Sequence, residues 1–354
     1  MKDSFWQGKK VFLTGHTGFK GSWLAVMLNE MGAIVTGYSL APNSSPSMFD
    51  IVSKASCRKS IIGDILNESY LTDALLGVEP DIVFHLAAQP LVLTSYENPK
   101  ETFETNIMGT VNVLEAIRKS NTCKALINIT TDKCYENQEF IWGYREIDRL
   151  GGRDPYSNSK ACAELLTDSY TKSFFSESEV GIATARAGNV IGGGDWSSYR
   201  LIPDLINGNQ NNSKVSIRFP NAIRPWQHVL EPLFGYLLLA EKIYKDPKSF
   251  NGAWNFGPSE TDTKSVQWIV ENFENYMNVK GLYEISDQKN KYEANVLRLD
   301  SSKAINKLGW RPKLNVSQAL QWTAHWYENY YSGQNISNLT KLQIKNYLRG
   351  LPGP

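Results

Sequence analysis

Val11-Phe12-Leu13-Thr14-Gly15-His16-Thr17-Gly18-Phe19-Lys20-Gly21-Ser22 reads as a short buried strand, a glycine turn and the start of a helix. The spacing predicts that helix from Ser22 to about Met31. Gly15-x-x-Gly18-x-x-Gly21 is a spacing variant of the dinucleotide fingerprint. Its glycines permit a tight turn and let backbone N–H groups and the helix N-terminus reach a pyrophosphate. A plain glycine-rich strand–helix turn has the same pattern, so the weight lies in its place after a strand and before a helix. His16 reads as a loop residue rather than a metal ligand.

Outward from this turn, strands and helices alternate. Ile34-Val35-Thr36-Gly37-Tyr38-Ser39 is a second strand, Ile61-Ile62-Gly63-Asp64-Ile65 a third, and Asp81-Ile82-Val83-Phe84-His85-Leu86-Ala87-Ala88-Gln89 a fourth with its exit. A long helix is expected over about 99–120, carrying Thr105. Ala125-Leu126-Ile127-Asn128-Ile129 is a fifth strand and Ile182-Ala183-Thr184-Ala185-Arg186 a sixth. Such alternation with short loops implies an α/β, doubly wound parallel sheet. The second strand ends without the Asp or Glu that commonly holds the ribose 2′-OH of NAD, and without an Arg for a 2′-phosphate. The choice between NAD and NADP stays open there. Asp64 is placed to accept from an adenine amino group, or else caps a turn. Ala87 and Ala88 are small enough for a cofactor to approach the backbone, and His85 reads as structural.

After Asp195 the pattern loosens. Arg200-Leu201-Ile202-Pro203-Asp204 opens a short helix, and Arg224-Pro225-Trp226-Gln227-His228-Val229 is a dense polar–aromatic cluster. The fork of Arg224 suits a phosphate or a surface salt bridge; His228 reads as structural. The expected division is a dinucleotide-binding domain over 1–188, with part of 225–255 returning to it, and a smaller, discontinuous C-terminal substrate lobe, mainly 189–354.

A second stretch carries the chemistry. The fifth strand ends in Thr130-Thr131-Asp132-Lys133, and Asp154-Pro155-Tyr156-Ser157-Asn158-Ser159-Lys160 follows after a loop. Asp154 can cap a helix, and Pro155 suits its first turn. Tyr156 and Lys160 then lie one turn apart on one face. A phenol is a poor base at its usual pKa of ~10, and an ammonium beside it favours the phenolate. Bringing it to about 7 requires roughly 4 kcal/mol. Tyr-x-x-x-Lys is a weak pattern by itself, since it recurs at Tyr96/Lys100, Tyr244/Lys248 and Tyr276/Lys280. Pro99 and Pro247 interrupt two of these, and the third follows no Thr-Thr-Asp strand end.

Composition narrows the classes. The 354 residues hold 37 Lys+Arg against 36 Asp+Glu, so no basic footprint for nucleic acid is expected. Cys57, Cys123, Cys134 and Cys162 lack metal-ligand or disulfide-framework spacing and read as reduced thiols of a cytoplasmic protein. No metal site is expected, no apolar run is long enough for a bilayer, and no signal-peptide h-region precedes the first strand.

Together these residues resemble the extended short-chain dehydrogenase/reductases, in particular the nucleotide-sugar 4,6-dehydratases, over nearly the whole chain. The telling stretches are Gly15 to Leu24, Thr131-Asp132-Lys133-Cys134-Tyr135, Asn189-Val190-Ile191-Gly192-Gly193-Gly194-Asp195-Trp196 and Arg224 to Val229. Members acting on dTDP-glucose usually read Thr-Asp-Glu where this chain has Thr131-Asp132-Lys133; the resemblance is greatest to the members acting on CDP-glucose.

The resemblance implies a Rossmann-type fold and a three-step reaction with resident NAD. Tyr156 takes the sugar 4-OH proton as hydride leaves C4, with Thr131 and Lys160 assisting. Water is then lost across C5–C6, Asp132 giving a proton to the 6-OH and a base taking the C5 proton. Lys133 stands where relatives have that base, and Glu136 is a rival. Hydride finally returns to C6. The resemblance also implies cofactor contacts at Gly15, Thr17, Gly18, Phe19, Asp64, Ile65, Leu86, Ala87, Ala88, Thr105, Tyr156 and Lys160. Substrate contacts would come from Gln89, Thr131, Asn189 and Arg224. A second substrate Arg of some relatives aligns near Asn295, with Arg298 an offset substitute. It further implies a homodimer through a four-helix bundle of residues 99–120 and 155–175, or a tetramer, and a role in deoxysugar synthesis for surface polysaccharide such as lipopolysaccharide O-antigen. A dehydratase for another nucleotide sugar, a nucleotide-sugar 4-epimerase and a non-catalytic dinucleotide sensor are the alternatives. An epimerase needs no acid–base pair beside Thr131, and a sensor has no use for Thr131, Tyr156 and Lys160 together.

Overall fold

The computed structural model describes residues 5–286 and 294–350; the outermost ends of the two expected domains lie outside them. The first half alternates strictly. It runs β1 (Lys10–Thr14), α1 (Phe19–Glu30), β2 (Ile34–Ser39), β3 (Lys59–Ile62), α2 (Glu68–Val78), β4 (Ile82–His85), α3 (Val92–Glu97), α4 (Pro99–Phe103), α5 (Gly109–Arg118), β5 (Ala125–Ile129), α6 (Pro155–Phe174) and β6 (Gly181–Ala187). The second half has shorter strands. These are β7 (Val190–Ile191), β8 (Val215–Ile217), β9 (Ile223–Pro225), β10 (Gln227–His228), β11 (Gly252–Phe256), β12 (Thr263–Ser265) and β13 (Tyr283–Ile285). Its helices are α7 (Leu201–Asn211), α8 (Leu230–Lys245), α9 (Pro247–Phe250), α10 (Val266–Tyr276), α11 (Val316–Tyr331) and α12 (Ile336–Arg349).

Seven strands form one parallel sheet in the order β11-β6-β5-β4-β1-β2-β3. Period-2 alternation loads both of its faces. Val11, Leu13, Ile82, Phe84, Ala125, Ile127, Ala183 and Ala185 join the core on one side, which includes α1, α8 and α11. Phe12, Val83, Leu126 and Ile182 point to the other side, with residues of α2 and α5. α1 is apolar all round and buries every residue from Gly21 to Leu28, as a helix between a sheet and further helices must. The chain returns to the sheet at β11, where Gly252 to Phe256 pair with Ala183 to Ala187.

The strand order reverses between β1 and β4, and ligands of open α/β sheets bind outside the strand ends at such a point. The glycine turn after β1 and Leu86-Ala87-Ala88 after β4 meet there. Gly15 has φ +75°, and a Cβ on it would lie 2.7 Å from the Ala87 nitrogen.

Several local readings shift. α1 begins at Phe19 rather than Ser22, because Gly18 is its extended N-cap, so the helix N-terminus lies inside the motif. β3 ends at Ile62, leaving Asp64 in the loop. The single helix expected over 99–120 is α4, a π-helical turn (Glu104–Met108) and α5, preceded by α3, which the sequence reading omitted. The wide turn lets the Asn106 amide reach the backbone of Gln89 and the Ser159 hydroxyl. No helix among the described residues is long and apolar enough to cross a membrane.

Candidate active site

Beyond the strand ends lies a cavity of about 1180 Å³. Its wall brings together Gly15, Thr17, Gly18, Phe19, Asp64, Ile65, Leu86, Ala87, Ala88, Thr105, Thr131, Asp132, Lys133, Tyr156, Lys160, Asn189 and Arg224. Gln89 is the exception among the expected site residues. Its amide bonds to Leu91 and Thr102 and closes its own loop, so it does not line the cavity.

The reactive face is built by β5 and α6. All of β5 is buried, and the chain leaves it through a single 3-10 turn, Asp132–Cys134. Thr131 caps that turn: its hydroxyl accepts from the Lys133 N–H at 3.3 Å and donates to Asp132 Oδ1 at 3.1 Å. α6 starts sharply because the Asp154 carboxylate accepts from the Ser157 N–H at 2.9 Å, an N-cap worth about 1 kcal/mol, and Pro155 fills the first turn. This start places Tyr156 and Lys160, both buried, in the cavity wall.

Burial dominates the electrostatics. It pushes the Tyr156 phenol up to about 12, the Thr131 hydroxyl acting in the opposite direction. Arg200 also favours the phenolate, while Asp132 and Asp154 oppose it. Burial pulls the Lys160 ammonium down to about 8, with Glu164 opposing; its Nζ donates to the Ile129 carbonyl at 3.1 Å. Asp132 is held above the usual carboxylate range by burial, against Lys133, Thr131, Arg224 and Lys20. Its Oδ2 has no hydrogen-bond partner among the described residues. Glu136 is engaged by Arg149 at 2.9 Å.

Other expected residues take plainer places. Asp64 Oδ1 accepts from the Leu66 N–H at 2.9 Å, the turn-capping alternative, while still lining the cavity. Arg224 is buried, not on the surface, and its guanidinium donates to the carbonyls of Ile223, Ala294 and Asn295. The Asn295 amide bonds to Glu139, and Leu297 rather than Arg298 lines the cavity, so the offset Arg does not stand in. His16, His85 and His228 are buried, His85 between Thr14 and Thr110 at 2.8 and 3.1 Å. Among the described residues no group of three or more His, Cys, Asp or Glu could hold a metal ion.

The sequence reading missed Lys20, Asp195, Arg200 and Arg218, all in the cavity wall. Arg200 caps α7 in position and pairs with Asp195 at 2.9 Å. A cation five residues after an acid at the sixth strand's exit was the available signal. Behind the wall, Glu164 pairs with Arg186 at 2.7 Å and accepts from Thr130 and Thr184, which fixes the end of β5 against α6. The cavity therefore offers an acid, a phenol and several amines beside one strand end, with Lys20, Lys133, Arg200, Arg218 and Arg224 suited to an anionic ligand.

Comparisons with known proteins bear on the family and the fold. The sequence model of the GDP-mannose 4,6 dehydratase family matches residues 12–323. The chain is 47% identical over 350 residues to the CDP-glucose 4,6-dehydratase of Salmonella typhimurium strain LT2, covering 98% of each. Among solved structures, it superposes with TM-score 0.78 on the UDP-glucose 4-epimerase of Thermotoga maritima, at 21% identity, covering 91% of this chain and 99% of that one. It superposes with TM-score 0.77 on the dTDP-glucose 4,6-dehydratase of Bacillus anthracis in complex with NAD, at 21% identity, covering 92% and 99%. By the span of the family match and the identity to the Salmonella protein, the chain belongs to the GDP-mannose 4,6 dehydratase family of extended short-chain dehydrogenase/reductases.

Proposed function

We propose that the chain is a CDP-glucose 4,6-dehydratase, converting CDP-D-glucose to CDP-4-keto-6-deoxy-D-glucose and water with NAD as resident cofactor. One observation carries the reading. In a chain 47% identical to such an enzyme, Thr131, Tyr156 and Lys160 share a cavity with an acid and an amine, Asp132 and Lys133. A nucleotide-sugar 4-epimerase uses the first three residues but has no step for the last two.

The residues present fit the dinucleotide. The turn at Gly15 has φ +75°, and the contact a Cβ there would make with Ala87 leaves bare backbone where a pyrophosphate approaches the N-terminus of α1. Thr17, Gly18, Phe19, Asp64, Ile65, Leu86, Ala88 and Thr105 line the same cavity and are assigned to the cofactor. Held by these residues, NAD would supply the hydride acceptor for the sugar C4 and the hydride donor for C6.

The chain's own residues move the protons. Tyr156 takes the 4-OH proton while Thr131 Oγ1 holds that oxygen and Lys160 supplies positive charge. The resulting ketone acidifies C5–H. Lys133 takes this proton; the ion pair of Glu136 with Arg149 supports Lys133 over Glu136 in that role. Asp132, favoured in its protonated form by burial, gives a proton to the departing 6-OH. Asn189 and Arg224 are assigned to the substrate's diphosphate, and the lobe over 189–354 to its nucleotide end.

The proposal extends to assembly and setting. A homodimer through 99–120 and 155–175 is supported by the apolar exposure there: Met108 is 49% and Leu165 59% exposed. A cytoplasmic location and a role in deoxysugars for surface polysaccharide such as O-antigen complete the reading. Incubating the protein and NAD with CDP-, dTDP- and UDP-glucose tests it through the alkali-induced absorbance of a 4-keto-6-deoxy product. CDP-glucose is expected to react fastest; no product from it refutes the proposal.

A further inference from the structure

Two residues flank the turn that carries Asp132 and Lys133, and both are tied to the same buried ion pair. Before the turn, the Thr130 hydroxyl donates to Glu164, which lies on α6 one turn beyond Lys160. After it, the Tyr135 hydroxyl accepts from the Arg186 guanidinium at 2.8 Å and donates to Asn255 Oδ1 at 2.8 Å. Glu164 and Arg186 pair at 2.7 Å, and Asn255 stands beside Arg186 in the register of β11 with β6. Tyr135, Glu164, Arg186 and Asn255 are all buried.

Filling space does not require this arrangement. The Tyr135 ring stacks on Tyr144 at 5.0 Å and lies 4.9 Å from the Arg186 guanidinium, contacts that a phenylalanine ring would also make. The hydroxyl is buried with both its donor and its acceptor capacity used, and a fully satisfied buried network holds one geometry. The two ties hold different things. On the near side, Thr130 bonds to Glu164 and the Ile129 carbonyl accepts from Lys160 Nζ, so β5 is fixed directly to the helix that carries Tyr156 and Lys160. Past Thr131, the side chains of Asp132 and Lys133 reach no hydrogen-bond partner outside the turn among the described residues. The Cys134 carbonyl accepts from the Gly151 N–H at 2.9 Å, and Tyr135 carries the segment back to β6 and β11.

We propose that Tyr135 is a positioning residue for the elimination step. Held between Arg186 and Asn255, it fixes the far side of the turn and with it the acid and the amine that act at C6 and C5. The role rests on the dehydratase reading. Water loss needs Asp132 at the 6-oxygen and Lys133 at the C5 hydrogen together, so a small shift of the turn weakens both. Hydride removal from C4 uses Thr131, Tyr156 and Lys160, which the near-side ties hold without Tyr135.

The test compares Tyr135→Phe and Tyr144→Phe with the unsubstituted chain. Tyr144 is the control, because its hydroxyl bonds to Asn137 and to the Gln138 N–H, outside the turn. Misplacing the acid and the amine predicts a kcat for CDP-glucose about 10- to 100-fold lower in Tyr135→Phe, with KM nearly unchanged. Oxidation at C4 in a single turnover keeps its rate, so the absorbance of reduced nicotinamide builds up before product. Tyr144→Phe shows neither effect. Asn255→Ser, which removes the acceptor and keeps the tyrosine, is expected to give the same build-up and serves if Tyr135→Phe does not fold. The role is overturned if the variant keeps kcat within about twofold, or if oxidation and product formation slow in parallel. It is also overturned if Tyr144→Phe builds up reduced nicotinamide to the same extent. No turnover of CDP-glucose by the unsubstituted chain overturns the dehydratase reading, and this role with it.

Discussion

Replacing Gly15 by Ala tests the geometry on which cofactor binding depends. Gly15 sits at φ +75°, where an L-residue costs about 1–2 kcal/mol. The new Cβ would also lie 2.7 Å from the Ala87 nitrogen and 2.8 Å from the Leu86 carbonyl carbon. Both are backbone atoms at the end of β4, so the strain cannot be relieved by a side-chain rotation. Overpacking of this kind adds about 1–3 kcal/mol. The sum, about 2–5 kcal/mol, is split between lower stability and a displaced turn. Gly18→Ala is the internal control. Its nearest contact would be 3.4 Å and its φ is −78°, so the fold should tolerate it. Circular dichroism melting should show a drop of several degrees for Gly15→Ala and little for Gly18→Ala. Calorimetric titration with NAD should show weakened binding in both, because a methyl at Gly18 stands where the pyrophosphate approaches α1. Wild-type melting and NAD affinity in Gly15→Ala would refute the reasoning.

Tyr156→Phe removes the proposed base and should slow C4 oxidation by about 10²–10⁴-fold in single-turnover absorbance, with NAD binding retained by titration. Lys133→Met should abolish exchange of the C5 proton with deuterated solvent while C4 oxidation persists; undiminished turnover excludes Lys133 as the C5 base. Burial holds His85 near 3, far below its unfolded value. The unfolded chain therefore binds the extra proton as pH falls, so the native form loses stability. Relative to His85→Gln, the unsubstituted chain should lose about 1.4 kcal/mol per pH unit between roughly pH 6 and 4, read from denaturant unfolding. Parallel curves would show that His85 is not held neutral.

The parts legible in the sequence are those set by local pattern. The glycine turn, the apolar run of β5 and the Asp154-Pro155 helix start each depend on a few neighbouring residues, and all are present in the structure, with α1 starting three residues earlier than read. What escaped depends on distant partners. The π-helical turn at Glu104–Met108 goes with bonds from Asn106 to Gln89 and Ser159, the latter 53 residues away. Arg224 reads as either a phosphate ligand or a surface ion pair, and its burial against the carbonyls of Ala294 and Asn295 depends on a segment 70 residues away. Gln89 matches a substrate position in sequence, yet its amide is consumed by Leu91 and Thr102. Lys20 was hidden inside the glycine motif, where attention falls on backbone rather than side chain.

The central claim is that one hydrogen travels from C4 to C6 while Asp132 and Lys133 remove water between them. The most direct measurement follows that hydrogen. CDP-glucose carrying deuterium at C4 is turned over with unlabelled NAD, and the product is read by NMR and mass spectrometry. The account predicts a 4-keto-6-deoxy product with deuterium in the C6 methyl group. Deuterium retained at C4 of an epimerised sugar, or lost to the medium, would contradict it.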